Sequence, residues 1–271
     1  MQASIRTPAV AGTFYPAAAK ALEREVRELM AGTEPEHDLL GCVSPHAGYV
    51  YSGRVAGRVL GQHRIPRRVV VLGPNHTGIG PAVSVASHHA WRTPLGEVWI
   101  DRDLAERLLG EDQEAELDDS AHWREHSIEV QLPFLQILRN DLAILPVCLR
   151  HLPLRRCVEL GEALARVIHA TPEPVGLVAS SDMTHYEPDQ VAREQDQLAI
   201  DAALTLDPAA LYDTVHEHGI TMCGVIPATV VLAAAARLGA TCGELVAYQT
   251  SGDTSGDRSA VVGYAGIRFG T

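Results

Sequence analysis

Three histidines stand in similar settings, and their spacing suits a metal site or acid–base chemistry. His46 follows an apolar run in GCVSPHAGYVYSG (residues 41–53), and His76 follows another in VVVLGPNHTGIG (residues 69–80). His185 lies in SSDMTHY (residues 180–186), directly after the apolar run 174–179. An α/β protein places its chemistry just past the carboxyl ends of strands, where each of these motifs falls. Imidazoles at neighbouring strand ends can converge on one ion, and a borderline ion such as Fe(II), copper or zinc suits them. A turn histidine that only bonds backbone is the plainer account of either His46 or His76 alone. Their matched settings, with small residues alongside, favour a ligand role for both.

Cys223, in TMCGVIP, is the candidate third ligand. It precedes an alanine-rich helix, and a thiolate at a helix N-terminus has a lowered pKa, which suits ligation or nucleophilic attack. A small buried hydrophobe remains an equal reading for Cys223, and it is the reading for Cys42, Cys148 and Cys157, while Cys242 has no polar company either. Asp182 and His185 form a carboxylate–imidazole pair that could fix a tautomer or share proton transfer, with a capped turn as the alternative. Glu125 and His126 are expected at the mouth of a cleft, His126 as a second acid–base group or substrate donor. Glu129 reads as the partner of a buried polar group.

The elements that must position these residues alternate between strand and helix. Strands are expected at 39–43, 68–72, 83–86, 97–100, 142–149 and 175–179, with helices at 17–30, 55–60, 101–109, 128–138, 154–168, 191–204, 209–216 and 228–238. Gly53, Ala56 and Gly57 would allow the second helix a close approach. Pro133 is expected to kink or restart its helix. HHAWRTPLG (88–96) reads as a turn, and 245–249 with 260–269 as a terminal antiparallel pair joined by the mobile polar loop SGDTSGDRS. The sum is an α/β fold in a single domain spanning 1–271, with a mixed central β-sheet flanked by helices.

Composition narrows the function. A net charge of −12 disfavours nucleic acid and repels an anionic membrane. No apolar run approaches a membrane span, and the first residues lack the apolar core of a signal peptide. Five cysteines without C-x-x-C spacing give neither a disulfide framework nor a four-cysteine zinc site. A cytoplasmic protein with reduced thiols is the expectation. The G-x-G-x-x-G, P-loop, EF-hand, G-x-S-x-G and H-E-x-x-H patterns are all lacking.

Six stretches in order resemble the Memo family, including its bacterial and archaeal members. They are RTPAVAGTFYP (6–16), PHAGY (45–49), GPNH (73–76), EHSIEVQLPFL (125–135), SSDMTHY (180–186) and MCGxxP (222–227). That resemblance implies the fold of class III extradiol ring-cleaving dioxygenases, with a cleft at the strand ends. Those dioxygenases hold a non-haem iron on two histidines and a glutamate, and the Memo family has a cysteine in the glutamate's place. The implied metal ligands are therefore His46, His76 and Cys223, with Asp182, His185 and His126 as the catalytic set.

The resemblance further implies Fe(II) first, copper second and zinc third. The implied function is a dioxygenase-like redox enzyme acting on a small aromatic or anionic substrate. A non-catalytic copper- or iron-binding or protein-interaction module is the alternative. Bacterial and archaeal relatives are grouped with a radical-SAM protein in the AmmeMemoRadiSam system, which implies such a partner. Arg124 departs from the family pattern, since many relatives have histidine there, and it would make the pocket rim more cationic.

Overall fold

Four short segments, Gly41–Ser44, Arg68–Pro74, Ala143–Leu149 and Val175–Ser180, are buried at every residue. Strands so apolar on both sides are stable only with helices covering both faces. In the computed structural model, which describes residues 4–271, they lie parallel at the centre of a sheet. Residues 1–3 of the expected domain lie outside the described residues. Spatially the order is Ala143–Leu149, Arg68–Pro74, Val175–Ser180 and Gly41–Ser44. Val261–Gly270 then joins antiparallel to Gly41–Ser44 and also pairs with Cys242–Thr250, so the sheet is mixed.

Alternation along Arg68–Pro74 divides the core in two. Val70 and Leu72 face a layer that includes Leu154–His169, Asp189–Leu204 and Val225–Arg237. Val69 and Val71 face the other layer, with Ala19–Leu29, Tyr49–Gly61 and Leu132–Leu138. The expected close approach of the second helix is present. A Cβ on Gly57 would lie 2.6 Å from the Leu29 carbonyl oxygen, so that helix contact depends on glycine.

The structure corrects three local expectations. Residues 128–138 are not one helix: a 3₁₀ turn at Glu129–Gln131 passes into the α-helix Leu132–Leu138, with Pro133 in its first turn. That position tolerates a missing N–H, so proline restarts the helix there. Within 88–96, Ala90–Thr93 is a strand that forms a hairpin with Gly96–Ile100. The polar segment after 249 begins with the helix Ser251–Ser255, whose capping box joins Thr250 and Asp253. Asp253 also pairs with Arg193 and Arg258.

Glu129 fills the role expected of it. Its carboxylate pairs with Arg6 at 2.6 Å, both side chains being fully buried, and also accepts from Ala9 N–H, Val10 N–H and Tyr15 O–H. These bonds tie the amino-terminal segment across one side of the sheet. Among the described residues, no helix is long and apolar enough to cross a membrane.

Candidate metal centre

Register places three strand ends at one level. Ser180 pairs with Ser44, and Ala179 with Leu72 near the end of Arg68–Pro74. His46, His76 and Asp182 each stand two residues beyond their strand, so three turns meet over the same sheet edge. Cys223 arrives from the opposite direction, just before the helix Val225–Arg237. Gly224 N–H donates to Ser181 Oγ at 3.0 Å. A Cβ on Gly224 would lie 2.4 Å from the Ser180 carbonyl oxygen, so only glycine lets the segment come this close. One ligand atom from each of His46, His76 and Cys223 falls within 4.8 Å of the others.

Hydrogen bonding settles which nitrogen each histidine offers. Ser180 Oγ donates to Ser127 O at 2.6 Å and accepts from Gln131 Nε2 at 2.8 Å. Its single proton is therefore used, and its 2.9 Å contact with His46 Nδ1 must be donated by the imidazole. The Nε2 lone pair of His46 then points outward, 3.3 Å from Cys223 Sγ. His76 Nδ1 lies 2.9 Å from Glu125 Oε1. Burial raises the Glu125 pKa, but the His76 hydrogen bond and charge and the Ser127 N–H outweigh it and hold the carboxyl at about 2. An ionised carboxylate only accepts, so His76 also keeps Nδ1–H; although burial lowers the ring's pKa, the Glu125 hydrogen bond and charge raise it, and in the neutral ring Nε2 is the free lone pair. Two imidazole lone pairs beside a sulfur make a donor set that fits Fe(II), Cu(I) or Zn(II). Carboxylate and hydroxyl partners behind the ligands are the usual device for fixing metal-binding histidines.

A second group, His76, Glu125 and His126, is also close enough to share an ion. Glu125 is already engaged, however. It accepts from His76 N–H at 2.7 Å and from the His126 and Ser127 N–H groups, each at 2.9 Å, besides the imidazole. That favours an orienting role for Glu125 and the set with Cys223 as the ion's ligands.

The remaining candidates stand close to the same group. The His126 ring stacks on His76 with centroids 4.8 Å apart and is flanked by Phe14, also at 4.8 Å. Burial lowers its pKa, so it is neutral near pH 7. Asp182 accepts the His46 N–H at 2.7 Å, and burial pushes its pKa up to about 6 against that bond. His185 is not oriented by Asp182. Its Nδ1 lies 3.0 Å from the Thr221 carbonyl and its N–H donates to Thr221 Oγ1 at 2.7 Å, because residue 185 turns toward the 221 loop. Nδ1 is thus the donor and Nε2 the free base. Tyr186, next to it, is held at φ 63°, a strained conformation for a bulky residue. Arg124 is exposed.

Cys223 corrects another expectation. Its thiol pKa is raised, not lowered, first by burial and then by the nearby Asp182 charge. The supporting groups Glu125, Ser180, Gln131 and Thr221 were not assigned these roles from sequence. Their partners lie 36 to 134 residues away, and no local pattern announces them.

A family profile described as Memo-like protein matches residues 6–268. A MEMO1 family protein of Methanosarcina barkeri is 45% identical over 265 residues, covering 97% of this chain and 99% of its own. One from Aquifex aeolicus is 44% identical over 268 residues, covering 98% of this chain and 99% of its own. Among solved structures, an uncharacterized protein from Escherichia coli K12 aligns with a TM-score of 0.61. The alignment covers 85% of this chain and 99% of that one, at 14% identity, a likeness of fold alone.

Proposed function

The chain belongs to the Memo family, and on that premise we propose that it is a mononuclear metal protein with a dioxygenase-like redox activity. The ion would sit on His46, His76 and Cys223, with Fe(II) the first choice. One observation carries this reading: one ligand atom from each of His46, His76 and Cys223 lies within 4.8 Å of the others, while the Nδ1 atoms of both imidazoles already bond Ser180 and Glu125. When bound, such an ion offers open positions where a substrate and dioxygen can meet and exchange electrons.

The chain's own residues supply the rest. His185 Nε2, held in place by Thr221, takes or returns a proton at the cleft mouth. His126, kept neutral by burial, can accept one beside His76. Asp182, with its pKa near 6, can hold a proton close to neutral pH. Acid–base groups of this kind would have no work to do around a purely structural ion. The likeness to class III extradiol dioxygenases and the radical-SAM partner belong to the same proposal.

The test is anaerobic metal analysis of untagged protein, His46→Ala and Cys223→Ala, with the spectrum recorded on adding catechol. Near-stoichiometric iron, lost in both variants and spectrally perturbed by catechol, is the expected result. Tight metal retained by His46→Ala would overturn the site. A second reading is favoured by the cysteine itself: sulfur with two imidazoles also suits Cu(I), as in a copper-binding module without turnover. Stoichiometric copper, with no dioxygen uptake by the iron form, would select it.

A further inference from the structure

Asp196 belongs to the helix Asp189–Leu204, yet its side chain holds the turn that delivers His185. The residue is fully buried, and its carboxylate accepts from two neutral groups. Oδ1 takes the Thr184 N–H at 2.8 Å, and Oδ2 takes the Tyr248 O–H at 2.7 Å. Gly263 makes this reach possible. A Cβ there would lie 1.8 Å from Asp196 Oδ2, so only glycine lets the strand Val261–Gly270 pass the carboxylate at this distance.

Thr184 is gripped at both ends of its backbone. Its N–H goes to Asp196, and its carbonyl accepts from Gly263 N–H at 2.9 Å. Just before it, Met183 N–H donates to Gly263 O at 2.8 Å. Just after it, His185 gives its N–H to Thr221 Oγ1 and Nδ1–H to the Thr221 carbonyl. The next residue, Tyr186, is kept at φ 63° although its ring is 77% exposed, so burial of that ring does not repay the strain. Such a conformation persists only where the surroundings over-determine it. Relaxation at Tyr186 would carry the adjoining His185 away from Thr221. Without Asp196 the Thr184 N–H, itself fully buried, would also be left unpaired and would have to move to find a partner.

We propose that Asp196 is a positioning residue for His185. By fixing the Thr184 N–H it holds the turn against the strain at Tyr186, keeps the imidazole on the Thr221 carbonyl and leaves Nε2 as the free base. It acts through the backbone of the turn. An acceptor at this place is what the role requires, so an amide oxygen should serve as well as a carboxylate. The inference rests on His185 being the base of the cleft and not on which ion the cleft takes.

Heteronuclear NMR of the His185 ring nitrogens separates the two neutral tautomers and tests this on the full chain, with and without zinc. His185→Gln identifies the signals. Wild type should show the Nδ1–H tautomer alone. Asp196→Ala should lose that preference and show both tautomers, whereas Asp196→Asn should restore the single one. A merely structural role would lower the melting temperature of Asp196→Ala and leave its tautomer unchanged, and that result overturns the proposal. A wild type already in both tautomers, or a folded Asp196→Asn that mixes them, would overturn it too. If Asp196→Ala does not fold, Gly263→Ala decides, because it drives the carboxylate off Thr184 without removing it. Mixed tautomers are expected there, and an unchanged ring would overturn the proposal. A wild type that binds no zinc but keeps the single tautomer would sink the metal reading alone. Normal zinc binding with a tautomer indifferent to Asp196 would sink the positioning role alone.

Discussion

The contact between His46 Nδ1 and Ser180 Oγ decides how His46 is presented, although the two residues lie 134 positions apart in the chain. Ser180 has one proton and spends it on Ser127 O, so the imidazole has to be the donor. A serine at the end of one strand thereby fixes the tautomer of a histidine beyond the end of its neighbour.

Replacing Ser180 with alanine should keep the fold and lower metal affinity about tenfold to a hundredfold, the usual effect of losing a partner behind a metal ligand. Competition with a chromophoric chelator measures it. An affinity equal to wild type would mean that the tautomer is fixed by some other contact.

Glu125→Gln should weaken metal binding by a similar factor, because an amide can donate where His76 Nδ1–H now needs an acceptor. It should also change acid stability. The carboxyl pKa falls from an ordinary 4.5 to about 2 on folding, so its contribution is fully present above the ordinary value and is lost as pH falls toward 2. That interval corresponds to about 3 kcal/mol. Urea unfolding between pH 5 and 2 should therefore show a shallower pH slope in the variant.

Metal uptake should release a proton from Cys223, since burial holds it as a thiol before the ion binds. Affinity should rise about tenfold per pH unit where Cys223 alone gives up a proton, and more steeply at lower pH, where His76, its pKa raised by Glu125 against burial, must be neutralised too. Calorimetry in buffers of different ionisation enthalpy counts the protons. No release would point to ligation without the sulfur.

Two substitutions test the frame that holds the cleft. Glu129→Ala leaves Arg6 charged and buried, with the N–H groups of Ala9 and Val10 and the Tyr15 hydroxyl unpaired, and should cost about 3–5 kcal/mol. Gly57→Ala forces a methyl group against the Leu29 carbonyl and should cost about 1–3 kcal/mol. Chemical denaturation of both variants reads the losses directly.

The strands and the three turns were legible because runs such as 68–72 declare burial on both faces and because glycine and proline mark where they end. The groups behind the ligands were not legible. Glu125 neighbours His126 in sequence yet serves the His76 imidazole, and Asp182 sits three residues from His185 yet bonds to His46 N–H. Spacing along the chain suggested both local pairs, but cross-strand register chose different partners. The raised Cys223 pKa was missed for a related reason: proximity to a helix start is visible in sequence, and burial is not.

The proposed ligands stand at positions 46, 76 and 223, and the segments that carry them meet only when the sheet and its covering helix have both formed. The unfolded chain has no comparable assembled site, so an ion added to the protein favours the native state. Each tenfold excess over the dissociation constant then shifts the folding equilibrium by about 1.4 kcal/mol. Metal occupancy thus reports on the topology of the whole chain, and thermal stability should follow free-metal concentration as a binding curve.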